Sequence, residues 1–330
     1  MLHQNKLLKL LTVPVLAVGT LIATAPAQKA DAQDVTYLLP APGFLPAFGP
    51  WMLAQGRGYY KAEGINVKFQ TAHGGVDVAK QVGAGNAVIG GGIGDTPVIV
   101  RPNGIPVKAV AVLGGRSLMQ LVTRNDRGIK TLKDLKGKTI TALSLQDTTY
   151  YALLGMLATV GLTKNDVKAQ GAGPVGVWKL FLAGKADAMA AVPDWIGIAY
   201  GAKVKLKIWP ADDHFKSMAQ AILASDKVIK ENPKLIGKLV RATLHGLTDI
   251  MKDPDGAAVD YVKHVQKHKG KEKQMASVFK LYNKYVYPGQ KTVGAMDRAR
   301  LKGLQDFYVK QGILRKSSKL DDLYTNQFVN

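Results

Sequence analysis

INVKFQTAHGGVDVAKQVGAGNAVI, residues 65–89, holds one complete unit of the fold. Ile65 to Gln70 alternates apolar and polar residues, the signature of a half-buried strand. Gly74-Gly75 then opens a helix running to about Val82, and Ala87 to Ile89 reads as a second, short strand. Strand, helix and strand in that order form a βαβ unit with a parallel pair. Gly90 to Gly94 follows as a glycine-rich turn, and a helix starts at Asp95.

The same alternation extends in both directions. Upstream, Val35 to Leu39 is the first strand, and the loop Pro40 to Pro46 leads into a helix near Pro50 to Gly56. Downstream, strands are expected at Val107–Leu113, Met119–Thr123, Thr139–Ala142, Val167–Gln170, Ala186–Ala191, Lys205–Ile208 and Met218–Leu223, with helices at Asp147–Val160 and Val175–Leu182 between them. Beyond that the chain reads as four amphipathic helices, with caps at Ser225, Asn232, Asp253 and Asp297 and Pro233 and Pro254 in first turns. The economical α/β architecture is two lobes joined by crossings near Leu118–Thr123 and Ser217–Ala224. Residues 33–118 and 219–330 form lobe 1, residues 119–218 form lobe 2, and a ligand sits between them.

The first residues carry Lys6 and Lys9, then an apolar run from Leu10 to Ala23 and small residues ending Ala30-Asp31-Ala32. This pattern reads as a secretory signal peptide over residues 1–32, cleaved after Ala32 rather than at Ala25-Pro26-Ala27. The sequence contains no cysteine, which excludes disulfides, thiolate metal sites, a cysteine nucleophile and a lipid-modified cysteine. A freely diffusing periplasmic protein from a Gram-negative cell is the expectation. The formal charge is +21; removing Lys6, Lys9, Lys29 and Asp31 takes away a net +2 and leaves +19. Because the lysines are spread from Lys61 to Lys319 among acids, a basic solvated surface is a better reading than a nucleic-acid stripe.

Several phrases in order carry a family resemblance: Gly58-Tyr-Tyr-Lys-Ala-Glu-Gly64-Ile-Asn-Val67, Ile129 to Ile140, Gly161 to Val167, Leu182 to Ala188, and Ser225 to Pro233. Together they resemble periplasmic ABC-transporter substrate-binding proteins of the nitrate, sulfonate, taurine and thiamine-pyrimidine-precursor family. The resemblance implies a type II periplasmic-binding-protein fold, with two α/β lobes on a two-strand hinge and C-terminal helices. It also implies a monomer that takes a small-molecule solute to an ABC importer permease, without cofactor, metal or nucleic acid. Carried over position by position, it places Pro42, Gly43 and Phe44, Gly74 and Gly75, and Gly94, Asp95 and Thr96 around the cleft. From the second lobe it adds Gln146, Asp147, Thr148 and Thr149, then Pro193, Asp194 and Trp195.

The residues at these positions also have a chemistry of their own. Gly90 to Thr96 puts glycines before a helix N-terminus, where free N–H groups suit an anion, yet Asp95 or Thr96 would equally serve as a cap. Asp147 opposes an anion and favours an amine or the N–H edge of a heterocycle. Asp194 beside Trp195 pairs a carboxylate with a flat indole, which suits a planar or cationic solute. A nitrogen heterocycle, amine or zwitterion is therefore expected ahead of a sulfonate, taurine or nitrate anion.

Enzymatic chemistry finds less support. His264 and His268 sit four apart, but Lys263, Lys267, Lys269 and Lys271 around them would repel a metal. His73 has no nucleophile beside it, and no Gly-x-Ser-x-Gly elbow occurs. The resembling family includes a pyrimidine synthase of thiamine biosynthesis, whose branch carries a cysteine-rich motif; a cysteine-free chain with an export signal departs from it. A receptor that presents its ligand to a membrane sensor stays open beside the importer reading.

Overall fold

A computed structural model describes residues 1–2 and 32–329. Of the expected signal peptide, residues 1–32, all but residues 1, 2 and 32 lie outside the described residues. Ten strands follow: β1 (Gln33–Leu39), β2 (Ile65–Thr71), β3 (Ile89–Ile93), β4 (Val107–Val112), β5 (Gln120–Arg124), β6 (Thr139–Ala142), β7 (Lys168–Gly171), β8 (Ala188–Ala191), β9 (Leu206–Pro210) and β10 (Gln220–Ser225).

They form two five-stranded sheets, ordered β2-β1-β3-β10-β4 and β7-β6-β8-β5-β9. In the first, β1 lies parallel to β2 and β3, and β10 runs antiparallel between β3 and β4. The second repeats the plan: β6 is parallel to β7 and β8, and β5 runs antiparallel between β8 and β9. Each inserted antiparallel strand is the first one the chain makes after changing sheets. Ligands in open α/β sheets sit outside the carboxyl ends of the parallel strands, so this topology directs both sheets' binding loops to one cleft.

The chain leaves the first sheet after Val112 and returns to it after Pro210. The two crossing segments are tied together: Leu118 N–H donates to the Met218 carbonyl at 3.0 Å and Leu113 N–H to the Gln220 carbonyl at 2.6 Å. The expected crossings at Leu118–Thr123 and Ser217–Ala224 are thus mostly the ladder strands β5 and β10, and the true connections lie just before each. Arg300, on the helix Arg298–Lys310, fastens the pair from one side. Its Nη1 and Nη2 donate to the Asp212 carboxylate at 3.0 and 2.6 Å, and its Nε donates to the Ser217 carbonyl at 2.8 Å. Asp212 also accepts from the Ser117 N–H and hydroxyl at 2.7 and 2.6 Å. Burial alone would raise the Asp212 carboxyl; the Arg300 guanidinium and Ser117 outweigh it and hold the group below the usual carboxylate range.

Two local expectations need correction. Gly90 to Ile93 is no turn: Ile89-Gly-Gly-Gly-Ile93 is the buried strand β3, and the turn is confined to Gly94 and Asp95. A Cβ at Gly90 would run into the Val78 side chain, and one at Gly92 would come within 2.6 Å of Leu223 and 2.9 Å of Thr96. Glycine lets the helix Gly75–Gly83 settle directly on the strand, and it removes the side-chain alternation that identifies strands in sequence. The C-terminal region also holds more than four helices: Asp226–Glu231, Pro233–Lys252, Pro254–His264, Glu272–Tyr285, Arg298–Lys310 and Leu320–Leu323. Ser225, Asp253 and Asp297 cap as expected, whereas the Asn232 side chain makes no cap bond. Glu272–Tyr285 and Leu320–Leu323 follow Lys271 and Lys319 without a side-chain cap, so both lack the signal that marks the other four.

Candidate functional site

Between the two sheets lies a cavity of about 50 Å³. Three helix starts converge on it. Gly75 begins the helix Gly75–Gly83 after the first sheet's β2, while Asp147 and Val192 precede the helices Thr148–Ala158 and Pro193–Gly201 of the second. The Gly74-Gly75 turn faces Asp147 and Thr148 across the cleft; a Cβ on Gly74 would sit 3.4 Å from the Asp147 carboxylate, and one on Gly75 3.4 Å from the Thr148 hydroxyl. Gly74 has φ of 91°, a conformation open to glycine, so this close approach depends on residue type as well as space.

The walls are apolar, with Leu45, Phe48, Ile93, Leu118, Leu143 and Val192 among the lining residues. Polar groups enter at a few points. Asp147 Oδ1 accepts from the Thr149 N–H at 2.9 Å and its hydroxyl at 2.5 Å. Asp194 accepts from the Tyr282 hydroxyl at 3.3 Å, and Gln220 anchors its amide by donating to the Ala47 carbonyl at 2.8 Å. Thr148 Oγ1, Trp195 Nε1 and Gln220 Oε1 are buried with no hydrogen-bond partner. Unpartnered buried polar atoms are costly, and three of them line this one cavity.

The site is acidic. Burial pushes Asp194 up to about 7, against the opposing bonds from its own and the Trp195 backbone and from Tyr282. Asp147 is also raised by burial despite the Thr149 and Thr148 donors. Behind it, buried Asp95 rises to about 7, chiefly through burial; the Tyr308 hydroxyl at 3.1 Å opposes this and the Asp147 charge adds to it. No lysine, arginine or histidine is among the described residues that line the cavity. Asp147 caps one of the three helix starts, and Asp77 and Asp194 lie in the first turns of the other two, so each end that would attract an anion carries a carboxylate.

Of the residues marked in the sequence, the structure brings Gly75, Asp147, Thr148, Thr149, Asp194 and Trp195 to the cavity wall. Gly74 adjoins Asp147, and Asp95 and Thr96 stand one layer back, Thr96 accepting from the Ile93 N–H at 3.0 Å. Five others point elsewhere. Pro42 and Gly43 form the turn before the helix Gly49–Gly56, Gly43 against Leu39 and Met52. Gln146 is exposed. Gly94 backs onto Met218 and Met296 on the opposite side of β3's end. Phe44 is drawn away by the C-terminal region: Tyr261 and His268 donate to its carbonyl at 2.5 and 2.7 Å, and Lys267 Nζ lies 3.6 Å over its ring. His264 instead pairs with Gln55 at 3.0 Å, so the two histidines serve separate partners. Gln220, Tyr282 and Tyr308 were not marked in the sequence; they sit on β10 and late helices, with no local pattern to set them apart.

The two sheets with one strand exchanged into each, and an acidic cleft at the strand ends, define a type II periplasmic-binding-protein fold. The chain belongs to the NMT1/THI5-like family, whose profile matches residues 45–257. It is similar to the riboflavin-binding protein RibY of Chloroflexus aurantiacus, 27% identical over 93% of this chain and 89% of that one. It also resembles the 4-amino-5-hydroxymethyl-2-methylpyrimidine phosphate synthase of Schizosaccharomyces pombe, 26% identical over 68% of this chain and 67% of that one. In structure it matches the alkanesulfonate-binding protein SsuA of Xanthomonas axonopodis pv. citri with a TM-score of 0.70 and 16% identity, over 90% of this chain and 99% of that one.

Proposed function

We propose that this protein is the periplasmic solute-binding component of an ABC importer and that its solute is a small nitrogen heterocycle or amine rather than a bare anion. The observation that carries the ligand class is the cavity's composition: two buried carboxylates, an indole, a threonine hydroxyl and a glutamine carbonyl oxygen, with no basic side chain. A solute presenting N–H groups or positive charge is matched by the Gln220 oxygen and draws the raised carboxyls toward their ionised form, whereas an anion finds no cation in the lining. The likeness to a riboflavin-binding protein and to an enzyme that makes a pyrimidine supports the same ligand chemistry. A binding role is favoured over that enzyme's, because this chain has no cysteine with which to build the motif implied for the synthase branch.

A cavity of about 50 Å³ holds only a few waters, while small-molecule sites run to roughly 300–1,000 Å³. Binding therefore requires the lobes to part at the two crossing segments and close again around the solute. The closed form would then present one continuous surface to a membrane partner. A pull-down with the mature protein separates an importer permease from a sensor as that partner.

The ligand class is tested by thermal shift with riboflavin, 4-amino-5-hydroxymethyl-2-methylpyrimidine, taurine, an alkanesulfonate and nitrate. A true ligand at 100 times its dissociation constant stabilises by about 2.7 kcal/mol. Stabilisation by a heterocycle, lost in Trp195→Ala, is the expected result. Strong stabilisation by the sulfonates or nitrate with none by the heterocycles would overturn the ligand class.

A further inference from the structure

A second cavity, of about 890 Å³, lies against the hinge rather than between the sheet ends. We infer that it is a second ligand site, one that takes a small amphipathic anion. Its floor is apolar: Phe215 and Phe307 meet there with ring centroids 5.0 Å apart, flanked by Leu304 and Met218. Lys216 and Lys291 stand at its edge, both exposed, and neither takes part in an ion pair among the described residues. The other charged groups that line it are already engaged. Arg300 is spent on Asp212 and Ser217, and the Asp297 carboxylate caps the N–H groups of Ala299 and Arg300. Two free cations over an aromatic floor fit a solute with an apolar body and one anionic group.

The site touches both sides of the hinge. Phe215 lies on the returning crossing, and a side chain at Gly155 would collide with its ring. Gly155 and the lining residue Thr159 belong to the end of the helix Thr148–Ala158 whose other end carries Asp147, Thr148 and Thr149 into the cleft, roughly 16 Å away at 1.5 Å per residue. Phe307 and Leu304 come from the C-terminal helix Arg298–Lys310, where Tyr308 holds Asp95. A ligand in this cavity is therefore in contact with elements that must move when the lobes part.

The probe is 8-anilinonaphthalene-1-sulfonate, titrated by fluorescence into the mature protein with no cleft solute present, so the outcome does not depend on the ligand class proposed above. The wild type is expected to show a single saturable site. Lys216→Glu with Lys291→Glu, and separately Gly303→Phe, should each weaken it about tenfold or more. Gly303 faces the cavity with nothing within 4 Å of a built Cβ, so a phenyl group there occupies the space. Trp195→Ala in the cleft should change the affinity by less than about twofold. Should Gly303→Phe fail to fold, the double lysine variant decides. Absence of saturable binding, unchanged binding in the double lysine variant, or a tenfold loss in Trp195→Ala overturns the second site.

Discussion

Asp194 is a carboxylate held in an apolar cleft with a tyrosine hydroxyl and no cation, and its proton affinity follows from that. With the folded value at about 7 and an ordinary value of 3.8, the folded state keeps a proton that the unfolded chain has released. Stability from this group is therefore full below the lower value and declines as pH rises through the interval, by about 4 kcal/mol in all, to order of magnitude. His264 and His268 act in the opposite sense, since burial pushes both down and the folded state resists their protonation. The wild-type profile mixes these effects, but Asp194→Asn removes one of them. Thermal melts between about pH 5 and about pH 8 should show the variant gaining on the wild type as pH rises. A difference independent of pH would refute the assignment. Asp147, Asp194 and Trp195 could be picked out in the sequence through the family resemblance, and each also falls where a helix begins after a strand. Tyr282 and Tyr308 could not, because their partners are 88 and 213 residues away and both look like ordinary core positions on amphipathic helices.

At the scale of the element, β3 shows how a sequence signal disappears for a structural reason. The strand is glycine at Gly90 and Gly92 because Val78 and Leu223 already occupy the space that side chains would fill there. Gly90→Ala should destabilise the protein by roughly 1–3 kcal/mol through overpacking. Gly303→Ala, in the middle of the helix Arg298–Lys310 with open space around it, should stabilise by about 0.5–1 kcal/mol through helix propensity and backbone entropy alone. Urea denaturation of the two variants tests both signs, and equal effects would mean that packing is not what selects glycine in β3. Strands with alternating or β-branched residues, such as β1, β2 and β6, were legible to within a residue or two. The helix Glu272–Tyr285 was not, since its start has neither a capping side chain nor a proline.

At the scale of the whole molecule, Arg300 connects a C-terminal helix to both crossings, with its side chain 11% exposed and that of Asp212 22%. Arg300→Ala leaves the Asp212 carboxylate and the Ser217 carbonyl short of donors and should destabilise by about 2–3 kcal/mol. It should also enlarge the radius of gyration of the free protein in small-angle scattering as the crossings loosen. An unchanged radius with full stability would show that the clamp does not govern opening. The two-sheet plan was legible from the order of strands and helices. Which strand inserts between which others was not, because the pairing of β10 with β3 and β4 joins segments far apart in the chain. That insertion sets an order of events during synthesis. All five strands of the second sheet lie within residues 120–210, so they can assemble as soon as that stretch has emerged. The first sheet has four strands early but waits for Gln220–Ser225, and until then β3 and β4 are open edges that cannot join. The half made first is thus the half finished last, and the nascent chain stays incompletely folded until most of its length is available.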